Sequence, residues 1–137
     1  MIKKKLIKNA NKVDQFLIKY LKIQKKSLLI KPMKYGVISG GKKIRSTIIF
    51  DTGKLFKISE KKLINICAAV ECIHSYSLIH DDLPCMDNDV IRRGKPSTHV
   101  KFGEASAVLA GSSLLTLAFE IVTDKKYLLN SVMKNEI

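Results

Sequence analysis

Residues 71–87 read Glu71-Cys72-Ile73-His74-Ser75-Tyr76-Ser77-Leu78-Ile79-His80-Asp81-Asp82-Leu83-Pro84-Cys85-Met86-Asp87. An apolar segment with helical spacing runs into a knot of carboxylates and stops at a proline. Leu63, Ile66, Ala69/Val70 and Ile73 recur at steps of three and four, so this is the best-defined helix, with Ser59 as its expected N-cap. Asp81, Asp82, Asp87 and Asp89 put four of the chain's twelve acids within nine residues. Crowded carboxylates repel one another, and the crowding costs stability unless a cation is held there. Hard oxygen ligands of this kind suit magnesium, which keeps several waters and bridges to phosphates. A solvated acidic turn is the plain alternative for an isolated D-D-x-x-x-x-D.

The rest of the chain also reads as helix. Leu6, Ala10, Val13, Phe16/Leu17 and Tyr20/Leu21 form one apolar stripe between lysine-rich faces. A break is expected at Lys31-Pro32-Met33, and a further helix is expected from near Lys42 to about Leu55. Residues 87–97 form a polar connection, and 103–123 are helical and apolar on all sides, which predicts burial inside a larger assembly. No segment has strand periodicity. The expected fold class is therefore all-α, in one domain spanning 1–137.

Charge and composition remove several functions. The net charge is +13 over 137 residues, with 18 Lys/Arg and three acids in 1–62 and seven bases and nine acids beyond. Only Arg45, Arg92 and Arg93 are arginines, so the bidentate reader of phosphate and bases is scarce, and the basic half lacks interleaved aromatics. No nucleic-acid partner is expected. The longest uncharged run, 105–119, is shorter than the roughly 18 apolar residues of a membrane span, so no transmembrane segment is expected. Lysines in 1–21 interrupt any secretory h-region. Cys67, Cys72 and Cys85 form no C-x-x-C pair and read as reduced thiols, which places the chain in the cytoplasm.

Three basic features face the acids. Gly40-Gly41-Lys42-Lys43-Ile44-Arg45 sets two glycines before a helix, whose free amides attract phosphate, with Lys42 and Arg45 expected one turn apart. Arg92-Arg93 follows the acidic cluster, and His74 precedes Asp81 by two helical turns. Singly, each is an ordinary turn, charge balance or a packed histidine. Together they describe a magnesium site facing several phosphate anchors.

The stretch 71–87, followed by Arg92-Arg93-Gly94-Lys95-Pro96-Ser97-Thr98-His99, resembles the first aspartate-rich region of trans-polyprenyl diphosphate synthases. Gly40–Arg45 resembles that family's Gly-Gly-Lys-x-x-Arg segment, and coverage runs in order from about 35 to 120. The resemblance is strongest to the bacterial farnesyl diphosphate synthase type. It implies the N-terminal helices of an isoprenoid-synthase bundle and coupling of isopentenyl diphosphate to an allylic diphosphate. It further implies that Asp81, Asp82 and Asp87 hold Mg2+ on the allylic diphosphate, with Arg92 on the same group. Lys42, Arg45, His74 and Arg93 would hold isopentenyl diphosphate, and Tyr76 and Ser77 would set product length, a bulky Tyr76 favouring a short product. Ser46 replaces the family's usual Pro, a minor change on this reading; Asn88, Val90 and Ser112 also depart from its pattern. Nothing in 127–137 resembles the family's second aspartate-rich motif. The chain is therefore expected to be a truncated enzyme, inactive alone and acting as a homodimer or with a missing C-terminal half. The alternative is an inactive remnant or partner subunit of a complete or split synthase.

Overall fold

The computed structural model describes residues 2–24, 26–38, 40–124 and 126. Its elements are α1 (Ile2–Ile23), α2 (Ile30–Ile38), α3 (Ile44–Leu55), α4 (Glu60–Asp81), β1 (Ile91–Arg92), β2 (Lys95–Pro96), α5 (Thr98–Phe102) and α6 (Glu104–Thr123). The architecture is all-α, and α4 is the central helix, packed against α1, α2, α3 and α6. Residues 127–137, in which no second aspartate motif was found by sequence, lie outside the described residues.

The apolar stripe of α1 buries Ala10, Val13, Leu17, Tyr20 and Leu21, as its three-four spacing requires. Tyr20 donates to Glu120 Oε1 at 3.1 Å, which joins the end of α1 to the end of α6. α4 runs from the N-cap position of Ser59, as expected, and ends three residues before Pro84. Its partner α6 comes so close that a Cβ at Gly111 would stand 2.4 Å from His80 Nε2. The His80 ring nitrogen is 3.0 Å from the Val108 carbonyl. A side chain at 111 would therefore have to displace the His80 ring from this contact.

Three expectations need correction. The break at Lys31-Pro32-Met33 is instead inside α2. Pro32 occupies the first turn, where its missing N–H has no intrahelical acceptor to lose. α3 begins at Ile44, so Lys42 lies in the preceding loop and not one helical turn from Arg45. β1 and β2 pair antiparallel with Ile91 opposite Pro96, too short for a period-two pattern to show. Their turn, Arg93-Gly94, has φ values of 55° and 74°, the left-handed pair of a two-residue type I′ connection. In this chain by itself α6 leaves Val108, Leu109 and Phe119 exposed, the apolar side that was expected to be covered in a larger assembly. Both α4 and α6 are long and apolar enough to cross a membrane, but here they pack on each other as core helices of the bundle.

Candidate functional site

The functional side chains lie at two places joined by the β1–β2 hairpin. The first is a hollow of about 230 Å³ lined by Gly41, Lys42, Lys43, Ile44, Arg45, Glu71, His74 and Arg93. Residues 53 positions apart in sequence, Gly40 and Arg93, meet beside it. The loop before α3 is tightly wound, with φ of 93° at Gly40, 102° at Gly41 and 42° at Lys43. Glycine populates such angles freely; at a lysine the left-handed conformation costs about 1–2 kcal/mol. A Cβ at Gly41 would lie 2.7 Å from Arg93 Cζ, so the guanidinium rests directly on the glycine. Arg93 Nη1 also donates to the Gly40 carbonyl.

The hollow presents side-chain cations to solvent. Lys42, Arg45 and Arg93 are exposed cations, and His74 is half-buried. Burial first, and then Arg45, pull the His74 imidazole below its ordinary range, so it is neutral at pH 7 and can either donate or accept. The free amides expected at the start of α3 are partly taken. Glu71, 3% exposed, accepts from the Ser46 amide at 3.3 Å and from the Ser46 hydroxyl at 2.8 Å. Ser46 is therefore more than a minor change: it is fully buried and clamps α3 to α4, a bond that a proline could not make. Sequence reading gave Glu71 no role. The available signal was that it is the sole acid in 61–80.

The second place is the C-terminal end of α4. Asp81 is the last helical residue and Asp82 its C-cap; the chain then folds back so that the Asp87 amide donates to the Asp81 carbonyl at 2.8 Å. Carboxylates at the negative end of a 22-residue helix dipole stand where cations belong. Asp82 is 2% exposed and is held by Arg92, whose Nε donates to both of its oxygens at 3.1 and 3.2 Å. Arg92 Nη2 also reaches Asp82 and, at 3.0 Å, Asp89. These acids, Asp82 first, raise the Arg92 guanidinium above its ordinary value.

The three aspartates thus separate into two roles. Asp82 is turned inward to Arg92, while the side chains of Asp81 and Asp87 bracket the turn without an ion pair or hydrogen bond to the described residues. No three metal-ligating side chains are gathered among the described residues. Two open carboxylates nevertheless fit magnesium, which is ordinarily bound by one or two carboxylates plus waters and substrate phosphates. Arg92 and Arg93, adjacent in sequence, serve the two places separately. Between them is a cleft of about 20 Å³, room for a single water, lined by Ser75, Asp82, Arg92, Arg93 and Thr98 among others.

Tyr76 is half-buried and meets His80 edge-on, ring centroids 4.8 Å apart. Ser77 donates its hydroxyl to the His74 carbonyl at 2.9 Å.

A helical bundle with a cationic hollow beside an acid-lined turn defines a class. The chain belongs to the polyprenyl synthetase family, whose profile matches residues 26–136. It is 56% identical over 110 residues to the farnesyl diphosphate synthase of Buchnera aphidicola subsp. Acyrthosiphon pisum, covering 80% of this chain and 37% of the relative. It is 50% identical over 118 residues to the Escherichia coli farnesyl diphosphate synthase, covering 86% and 39%. Among solved structures it resembles an FPP/GFPP synthase from Zymomonas mobilis, with TM-score 0.90 and 40% identity, over 96% of this chain and 48% of that one. A geranyltransferase from Legionella pneumophila gives TM-score 0.89 at 37% identity, over 95% and 46%. The chain spans about two fifths of the curated relatives and about half of the solved structures that it matches.

Proposed function

We propose that this chain supplies the diphosphate-gripping half of a prenyltransferase of the farnesyl diphosphate synthase type. The reaction condenses isopentenyl diphosphate with dimethylallyl or geranyl diphosphate to give geranyl or farnesyl diphosphate through an allylic cation. One observation carries the reading: a cationic hollow and an acid-lined turn lie side by side, bridged by consecutive arginines. Chemistry that joins two diphosphates needs two differently charged grips.

In this reading Lys42, Arg45, His74 and Arg93 hold the diphosphate of isopentenyl diphosphate. Asp81 and Asp87 hold Mg2+ against the allylic diphosphate, and Asp82 fixes Arg92 toward the same group. Bound there, Mg2+ neutralises the leaving diphosphate. The fixed guanidinium of Arg92 adds preorganised positive charge where negative charge grows as the C–O bond ionises. Apolar walls above the turn would keep water from the cation. Tyr76, five residues before Asp81, limits the depth available to the growing chain, with Ser77 beside it, and so favours short products.

The reading includes a cytoplasmic location, supported by three free cysteines, two of them buried. It also includes a partner, either a second copy or the C-terminal half of such an enzyme. The exposed Ile73 of α4 and Val108, Leu109 and Phe119 of α6 support this.

Calorimetric titration of the full chain with isopentenyl diphosphate and with a non-ionising thiolo analogue of dimethylallyl diphosphate tests the assignment. The first is expected to bind without Mg2+ and to lose binding in Arg45→Ala. The second is expected to need Mg2+ and to lose binding in Asp81→Asn or Asp87→Asn. Binding that ignores both metal and substitutions would refute it.

A further inference from the structure

Lys43 is a charged group that the diphosphate reading leaves unused. Its side chain is 3% exposed, and its backbone has φ 42°. Left-handed backbone is disfavoured at a residue with a Cβ, and a buried ammonium loses its hydration. Two penalties at one loop residue call for a purpose that an exposed lysine could not serve. The ammonium donates to the Val37 carbonyl at 2.9 Å and lies 3.2 Å from an Asp14 carboxylate oxygen. Val37 is in the last turn of α2, Asp14 is in the middle of α1, and Lys43 immediately precedes α3. One side chain therefore ties three helices together beneath the 40–45 loop. Its sequence neighbours Lys42 and Arg45 line the hollow above it.

We infer that Lys43 is a positioning residue: its ammonium, held by Asp14 and the Val37 carbonyl, fixes the 40–45 loop so that Lys42 and Arg45 are pre-set for a diphosphate. This rests on the reading of the hollow as a diphosphate site. Stability alone explains the arrangement poorly. Burial pushes the Asp14 carboxyl up in spite of the adjacent Lys43, so the pairing does not offset the dehydration of the acid. What a buried, rigid pair does supply is geometry, since cations fixed in advance need not be ordered when the anion arrives.

Calorimetric titration of the full chain with inorganic pyrophosphate, well below the unfolding midpoint, distinguishes the possibilities. Lys43→Met is expected to bind about tenfold more weakly than wild type, the effect of freeing two long cationic side chains. Lys43→Arg is expected to restore most of the affinity. Asp14→Asn is the sharper variant. It removes a negative charge, so simple electrostatics requires tighter pyrophosphate binding, whereas loss of loop positioning requires weaker binding. A folded Lys43→Met with wild-type affinity and only a lower midpoint overturns the inference. So does unchanged or tighter binding by Asp14→Asn, which decides the matter if Lys43→Met does not fold. A wild-type chain whose pyrophosphate binding is absent, or insensitive to Arg45→Ala, overturns the diphosphate reading itself.

Discussion

Asp82 is 2% exposed beneath Arg92, and replacing Arg92 with alanine removes its ion-pair partner among the described residues. Removing one partner of a buried pair costs about 3–5 kcal/mol. The Arg92 side chain is 33% exposed, so water can partly replace it, and the expected loss is at the lower end, about 3 kcal/mol. Asp89, 53% exposed, adds little to this pairing. The reverse substitution is milder. Asp82→Asn keeps an acceptor oxygen, and the partly exposed guanidinium can be hydrated, so about 1 kcal/mol is expected. The double variant should resemble Asp82→Asn, giving a coupling of about 3 kcal/mol between the two positions. Urea unfolding followed by far-ultraviolet circular dichroism, with EDTA present so that metal plays no part, measures all four proteins. For a chain of this size Arg92→Ala should lower the Tm by about 10 °C. A loss below about 1 kcal/mol, or an Asp82→Asn variant less stable than Arg92→Ala, would refute the argument that the pair is anchored by the burial of its acid.

Other outcomes follow from the same geometry. Because burial and Arg45 lower the folded-state value of His74, the unfolded chain binds its proton more tightly. Its share of stability is complete above pH about 6.5 and is lost as pH falls below that, so the unfolding midpoint should drop on acidification and His74→Gln should flatten the drop. An identical slope in the variant would count against this. Burial pushes the Cys67 and Cys72 thiols up to about 12. Cys85 is exposed, so a thiol reagent should label one site per native chain and three after denaturation. Gly41→Ala combines a φ of 102° with a clash against Arg93, while Gly40→Ala, at φ 93°, meets nothing within 4 Å. Both should lose about 1–3 kcal/mol of stability in urea, but only the first should also weaken pyrophosphate binding.

The long helices were legible because their apolar spacing is strong: the stripe Ala10–Val13–Leu17–Leu21 and the run that ends at Asp81 appear in the structure as buried faces. α2 was not, because Pro32 reads as a breaker until its place in a first turn is known. The candidate residues of the glycine loop, α4 and the hairpin were all visible as motifs. What the motifs could not give was direction. Asp82 is similar to Asp81 in sequence but is turned to Arg92, and Lys43 is one more lysine in a lysine-rich region yet is buried. Such distinctions depend on which side of a turn faces the bundle, which only the packed helices determine.

The short ribbon 91–96 carries a further consequence. Surface hairpins ordinarily tolerate gained or lost residues well. Here the left-handed turn at Arg93-Gly94 sends Arg93 back to the Gly40 carbonyl while its neighbour Arg92 stays on Asp82. Register is therefore function: one residue inserted between positions 90 and 94 would shift each guanidinium to the wrong side. This exposed loop should be as intolerant of length change as any core helix.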